Sequence, residues 1–334
     1  MNRQRVIISR TDSIGDVILT LPMASLLKKI NPDCTVIFLG SSYTKDIVAC
    51  CPDVDEFYDW KQIELADIQA DTIIHVLPRP EIAKAAKKAK IKLRIGTTNR
   101  LYHWWTCNKL IKLSRKKSDL HEAQLNLKLL TVFEGVKDLY SLDEVVDLMN
   151  FKSKNDTCDA VQYIDNQRFN LILHPKSKGS AREWGLDNFK HLIEILPSEK
   201  FKIFVCGTEN EGAMVRDTLL SEPRENVVDL TGKLSLADYI TFIDHADGLI
   251  AASTGPLHIA ASLGKHAIGI YPPIRPMHPG RWACIGNNAK VFVTDKECED
   301  CRKTQDCRCM RMIEPEMVKS YLLNIVLTKN LKNE

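Results

Sequence analysis

The chain has 334 residues, 44% of them hydrophobic and 27% charged, with a formal net charge of only +3. At roughly 150 residues per domain the length predicts two domains, and the composition excludes globally disordered, collagen-like and coiled-coil classes. The N-terminus carries Arg3, Arg5 and Arg10 with no apolar signal core, and the uncharged run from Gly248 to Gly264 is interrupted by Ser253, Thr254, Pro256 and His258, a poor membrane span. The expectation is a soluble, cytoplasmic protein that touches a membrane at most peripherally.

In chain order, Arg5 to Ser9 reads as a buried strand, a continuous apolar run of the parallel-sheet type. A loop from Arg10 to Asp16 follows, then a helix-spaced segment from Val17 to Ile30. Strands are predicted over 36–40, 72–77 and 92–96, with helices over 42–50 and 81–90. The second half restarts the alternation. Strands are predicted over 169–174, 201–207, 227–230, 248–252 and 267–271, and helices over 187–196, 211–220, 236–245 and 255–263. Pro315 to Leu331 reads as a terminal helix. Strand and helix alternating in this way predict α/β architecture with parallel sheets. The polar stretch Lys152 to Arg168 is the natural linker, and the domains are placed at 1–160 and 161–334, with the terminal helix a candidate to pack back on the first domain.

In open parallel sheets ligands bind beyond the carboxyl ends of the strands, so the loops after Ser9, His174, Cys206 and Ala252 draw attention. Ser253-Thr254-Gly255-Pro256-Leu257-His258 lies between a strand and a helix. A Ser or Thr cap followed by Pro starts a helix, whose free N–H groups and positive dipole end suit a phosphate, and Gly255 permits close approach. A plain capped helix accounts for the same residues, and His258 fits either a ligand contact or a satisfied core position. The loop His174 to Trp184 combines Lys176, Lys178 and Arg182 with Ser177, Ser180 and Gly179, which suits a diphosphate or a solvated basic loop, with Trp184 a packing anchor. Glu209 in the third loop suits a ribose hydroxyl or a helix dipole. None of these loops is a G-x-G-x-x-G or G-x-x-x-x-G-K-[ST] motif, which argues against NAD-type dehydrogenases and P-loop NTPases. In the first half Asp12 and Asp16 flank Gly15 just after the first strand, where one suits a general base, with helix capping the simpler role for Asp12.

The segment Arg79 to Lys117 holds thirteen cations against one acid, Glu81, with Tyr102-His103-Trp104-Trp105 inside it. Cations interleaved with aromatics suit an anionic membrane surface or a phosphorylated ligand, and are otherwise a solvated face. Seven of the eleven cysteines are scattered and read as small hydrophobes. The other four, Cys298, Cys301, Cys307 and Cys309, are numerous enough for a structural zinc, although the single residue between the last two is awkward for one.

Asp12-Ser13-Ile14-Gly15-Asp16-Val17-Ile18-Leu19-Thr20-Leu21-Pro22 resembles the opening motif of glycosyltransferase family 9, the ADP-heptose:lipopolysaccharide heptosyltransferases. Arg94-Ile95-Gly96, His121-Glu122 and Asn126-Leu127 resemble its mid-domain pattern, and His174-Pro175, Trp184 and Ser253 to Ala261 its donor-domain motifs. The resemblance implies a GT-B fold, two Rossmann-like domains facing across a cleft, acceptor in the first and nucleotide-sugar in the second. It implies inverting, metal-independent transfer of a heptose from ADP-heptose to a lipopolysaccharide core acceptor, with no cofactor. On it, Asp16 is the general base, Ser253, Thr254, Gly255 and His258 hold the donor diphosphate with Ser177 and Arg182, and Glu209 meets the ribose. Arg182 stands where the family often has lysine, and Ser253 where some members carry aspartate. Arg94, Arg100, Lys112 and Arg115 are then expected to meet a lipid-linked acidic acceptor at the cytoplasmic face of the inner membrane, rather than nucleic acid. Transfer from another nucleotide-sugar to a surface glycan, or non-catalytic binding of nucleotide diphosphates or anionic membranes, remain the other readings.

Overall fold

The computed structural model describes residues 4–274, 277–294 and 307–333. The chain divides into two compact units, Met1–Lys154 and Asn155–Glu334, and the division falls inside the polar stretch 152–168.

Unit 1 runs β1 (Arg5–Ser9), α1 (Ile14–Ile18), α2 (Pro22–Ile30), β2 (Thr35–Gly40), α3 (Lys45–Ala49), β3 (Glu56–Asp59), α4 (Leu65–Ile68), β4 (Thr72–His75), α5 (Pro80–Lys88), β5 (Leu93–Thr97), α6 (His103–Thr106), β6 (Lys109–Ile111), α7 (Glu122–Leu127) and α8 (Leu142–Asp147). Its six strands form one parallel sheet in the order β3-β2-β1-β4-β5-β6. The central strands are continuous apolar runs because helices cover both faces; Ile7, Ile37, Leu39 and Ile73 pack with Ile82, Ala86 and Ile91 in one buried cluster.

Unit 2 runs β7 (Phe169–His174), α9 (Leu186–Ile195), β8 (Phe201–Val205), α10 (Glu209–Leu219), β9 (Val227–Asp229), α11 (Leu236–His245), β10 (Gly248–Ala252), α12 (Gly255–Ser262), β11 (His266–Tyr271), α13 (Pro279–Trp282), β12 (Ala289–Val293), α14 (Arg308–Arg311) and α15 (Pro315–Asn333). Its parallel sheet is ordered β12-β11-β10-β7-β8-β9. Numbered from its own first strand this is 3-2-1-4-5-6 read from the far edge, the order of unit 1. Each sheet therefore reverses direction once, between β1 and β4 and between β7 and β10, the place where such sheets hold ligands. The expectation of α/β architecture with parallel sheets is met twice over.

Four expectations need correction. The helix expected over 17–30 is two helices, because Pro22 has no N–H to continue the ladder and instead opens α2 at its first position. Strands β3, β6 and β12 escaped the pattern search. They lie at sheet edges, are only partly buried, and so carry no continuous apolar run. Asp12 does not cap α1, whose N-cap residue is Ser13; it pairs with Arg10 instead. The terminal helix α15 packs on α9, with Val318 and Leu322 in the buried cluster of unit 2, so it closes that unit's own core. Trp184 is fully buried there and donates Nε1 to the Ile313 carbonyl at 2.7 Å, an anchor as expected.

Candidate active site

Unit 1 places its polar chemistry at the strand-order reversal. The loop after β1 carries Arg10, whose side chain is 3% exposed. Its Nε donates to Asp12 Oδ1 at 2.7 Å, its Nη1 to Glu122 Oε1 at 3.1 Å, and its Nη2 to Asp16 Oδ1. Burial alone would lower the guanidinium, but the carboxylates of Asp12, Asp16 and Glu122 outweigh it and hold it above its ordinary range. Burial, with Asp16 adding to it, raises Asp12 against the opposing pull of Arg10. Asp16 sits in the short helix α1, partly exposed, with Ser13 Oγ donating to its second carboxylate oxygen. From the other side of the reversal, Arg79 in the loop after β4 donates Nε to Thr11 Oγ1 at 2.6 Å and stacks over Trp60 at 4.9 Å. The C-terminal ends of β1 and β4 are thus cross-linked by side chains beside Asp16.

Unit 2 repeats the arrangement with different chemistry. After β10, Ser253-Thr254 leads into α12, with Pro256 in its first turn. Thr254 is the N-cap residue in extended conformation, yet its hydroxyl makes no capping bond. It is 6% exposed, and its Oγ1 has no hydrogen-bond partner among the described residues. His258, one turn in, is buried. After β7, the loop folds around Ser177: its single hydroxyl proton is shared between the Ala181 carbonyl at 3.0 Å and Glu183 Oε1 at 3.1 Å, and its Oγ accepts from Gly179 N at 3.3 Å. Lys178 and Gly179 take positive φ angles of 50° and 80° to make this tight turn. Lys176 pairs with Glu183, and Arg182 is half-buried between Ala181 and Trp184. After β8, α10 begins with Glu209, exposed, its carboxylate held by Arg216 Nη1 at 2.7 Å; Arg216 also holds Asp229. His174, at the end of β7, faces the Tyr239 hydroxyl at 3.2 Å, and burial pushes its ring down to about 4.

The family model of glycosyltransferase family 9 (heptosyltransferase) matches residues 66–310, well over half of the chain. The chain belongs to this family. It is 19% identical over 307 residues to the lipopolysaccharide core heptosyltransferase OpsX of Haemophilus influenzae, covering 87% of this chain and 86% of that one. Among solved structures it superposes on a family 9 glycosyltransferase from Veillonella parvula with a TM-score of 0.80 at 18% identity, covering 98% of each chain. It also superposes on the Escherichia coli heptosyltransferase WaaC solved with ADP, with a TM-score of 0.71 at 16% identity, covering 96% of this chain and 99% of that one. The two units are thus Rossmann-like units of the GT-B class, and the chain is a glycosyl-transfer enzyme.

Within this family 9 glycosyltransferase the sequence-expected site residues separate by what their side chains do. Asp16, Ser253, Thr254, Gly255 and His258 stand at the two strand reversals, and Arg182 and Glu209 on neighbouring strand-end loops of unit 2. Ser177 is spent inside its loop, where its hydroxyl braces the turn that carries Arg182. Two of the residues expected to meet the acceptor are engaged within unit 1. Arg94 donates Nε to the Thr106 carbonyl at 2.8 Å and Nη1 to the Ile91 carbonyl, clamping β5 to α6. Arg115 donates Nε to Glu122 at 2.8 Å and Nη2 to Asn126 Oδ1 at 2.8 Å. Both guanidinium groups satisfy buried acceptors of their own unit. Arg100 and Lys112 are exposed.

Trp104 and Trp105 are 61% and 52% exposed, and Leu101 75%, while Trp104 Nε1 bonds the Thr98 carbonyl at 3.0 Å. No helix among the described residues is long and apolar enough to cross a membrane. Of the four clustered cysteines, Cys298 and Cys301 lie outside the described residues; Cys307 and Cys309 are buried in the unit 2 core. Among the described residues no group of three or more His, Cys, Asp or Glu side chains is placed to hold a metal ion. Sequence reasoning missed Arg10 and Arg79 as site residues. Arg10 opens the loop after the first strand, and its signal is that place at the strand end, beside two acids.

Proposed function

We propose that this enzyme transfers a heptose from ADP-heptose to a sugar hydroxyl of an acidic, lipid-linked lipopolysaccharide core acceptor, with inversion and without a metal ion. The observation that carries the reading is Thr254 Oγ1, buried and unpartnered at the open start of α12, at the point where the unit 2 sheet reverses. Leaving such a group unsatisfied costs on the order of 1–3 kcal/mol. A diphosphate oxygen seated there satisfies it together with the free N–H groups of the helix start. The complexes of WaaC with ADP and with ADP-2-deoxy-2-fluoro heptose support the donor class.

In this reading the acceptor hydroxyl attacks the anomeric carbon as the bond to the diphosphate breaks. The hydroxyl proton passes to Asp16, and the electron pair leaves on ADP. The charge that grows on the leaving diphosphate is met by Arg182 and the α12 N-terminus, which supply fixed positive potential in place of a cation. Glu209, its carboxylate already oriented by Arg216, accepts from the ribose. The lipid end of the acceptor is met by the first unit, through Arg100, Lys112 and the exposed Leu101, Trp104 and Trp105 at an anionic membrane surface. The deciding experiment offers a panel of nucleotide-sugars with a heptose-deficient lipopolysaccharide core and follows released nucleotide by mass. Release of ADP alone, dependent on the acceptor, is the expected outcome. Release of UDP or GDP would replace the donor, and nucleotide binding without release would make the protein a binder.

A further inference from the structure

Asp16 belongs to a ring of hydrogen bonds that closes on itself. Its carboxylate is held by Arg10 Nη2. Arg10 Nη1 donates to Glu122 Oε1 at 3.1 Å, and the same oxygen accepts from Arg115 Nε at 2.8 Å. Arg115 Nη2 donates to Asn126 Oδ1 at 2.8 Å, and Asn126 Nδ2 donates to Thr20 Oγ1 at 3.2 Å. Thr20 Oγ1 completes the ring by donating to the backbone carbonyl of Asp16 at 2.8 Å. Asn126 Nδ2 also donates to the Leu19 carbonyl at 3.0 Å, tying α7 to the turn between α1 and α2. The ring thus grips Asp16 at both ends, and its far side is deeply buried: the Glu122 side chain is 1% exposed.

We infer that Glu122 and Arg115 are positioning residues that fix the Asp16 carboxylate and set its strength as a proton acceptor through Arg10. The inference rests on the reading of Asp16 as the base. Arg10 touches three carboxylates, those of Asp12, Asp16 and Glu122, and Arg115 touches Glu122 in turn. Were Arg10 paired with Asp16 alone in a buried place, its full charge would hold the carboxylate ionised but make it a reluctant base. Glu122 draws part of that charge away, and Arg115 limits how much. The fold assembles four charged side chains of unit 1, Arg10, Asp12, Glu122 and Arg115, in one network with Asp16. Arg79, also at this sheet end, is tied to Thr11 and Trp60 and stands outside the ring.

The test reads the pH dependence of turnover in Glu122→Gln and Arg115→Gln. Losing the Glu122 charge leaves Arg10 less neutralised, so the acid limb of the kcat profile is expected to move to lower pH and the plateau to fall several-fold. Losing the Arg115 charge does the opposite and moves the limb to higher pH. Each shift is expected to be about half a pH unit or more. The acceptor KM and the ADP Kd stay within about twofold of the parent, because neither side chain touches substrate. Opposite shifts are a signature that loss of packing does not produce; limbs that stay put, or move the same way, overturn the inference. If Glu122→Gln fails to fold, Arg115→Gln decides alone, its side chain being 19% exposed and an unmoved limb again being the overturning result. Asp16→Asn in the same assay separates the two claims. If it keeps near-parent turnover, the base reading fails; if it is inactive and both limbs are unmoved, only the ring's role fails.

Discussion

Arg10 and Glu122 lie 112 positions apart in the chain and meet at 3.1 Å, both sealed from solvent. Taking two charges out of water is costly unless geometry and further hydrogen bonds compensate. Here Arg10 reaches two more carboxylates and Glu122 a second guanidinium, so each group is satisfied. The pair fixes the loop after β1 to the first turn of α7, and Asp16 is carried in α1, the helix that follows that loop.

Asp16→Asn keeps the size of the side chain and a hydrogen bond to Arg10 but cannot take a proton. Turnover is expected to fall by about 10²-fold or more, while ADP affinity measured by calorimetry stays unchanged, since the substitution keeps the side chain's size and its place beside Arg10. Turnover near that of the parent would remove the base role.

Thr254→Val removes the buried hydroxyl and keeps the shape. If the diphosphate sits at α12, ADP binding weakens by about 1 kcal/mol or more, while the unliganded protein loses no stability, because the hydroxyl has no hydrogen-bond partner among the described residues. Arg182→Ala is expected to weaken ADP further. EDTA is expected to leave activity intact; loss restored by Mg²⁺ or Mn²⁺ would contradict transfer without a metal.

Replacing Trp104 and Trp105 together by Ser tests the membrane reading. Both rings are more than half exposed, so thermal stability should hardly change. Co-sedimentation with phosphatidylglycerol-rich vesicles should drop, and so should binding on adding salt, since each nearby cation contributes on the order of 1 kcal/mol that salt screens. Unchanged co-sedimentation in the Trp pair and in an Arg100→Ser, Lys112→Ser variant would dismiss this face.

Acid should begin to destabilise the protein before its carboxylates titrate. Burial, with His103 adding to it, pushes His75 from 6.5 down to about 3, and burial pushes His174 down to about 4. The unfolded chain takes up both protons near 6.5 while the folded chain refuses them, so their contribution to stability is complete above that pH. It is lost as the pH falls from there toward 4 and then 3. Each ring contributes a slope of up to about 1.4 kcal/mol per pH unit. Both His75 nitrogens lack partners among the described residues, so His75→Leu should flatten the dependence seen by chemical denaturation from about pH 7 to about pH 4.5. An unaltered slope would show that His75 is protonated in the folded state.

The central strands and the helices that follow them were legible along the chain, because a strand covered on both faces must be apolar throughout and a helix must show its period. Strands such as 169–174 and 248–252 and the helix 236–245 lie where the pattern put them. The places of Asp16, Thr254, Gly255 and His258 were legible for a related reason: they lie at the helix starts that follow β1 and β10, and a strand end is a local feature. Strands β3, β6 and β12 were not, since β3 is bounded by Glu56 and Asp59, β6 is three residues long and Lys290 interrupts β12. Nor were the roles of Arg94 and Arg115. A cation in a basic run looks the same whether it faces lipid or a buried carbonyl, and what separates the two is a partner brought near by folding. Arg115 finds Glu122 and Asn126, Arg94 finds the Thr106 and Ile91 carbonyls, and Arg10 finds Glu122 across more than a hundred residues. Burial makes an unpaired charge costly, so once the sheet had closed, each of these side chains was held to the acceptor within its reach.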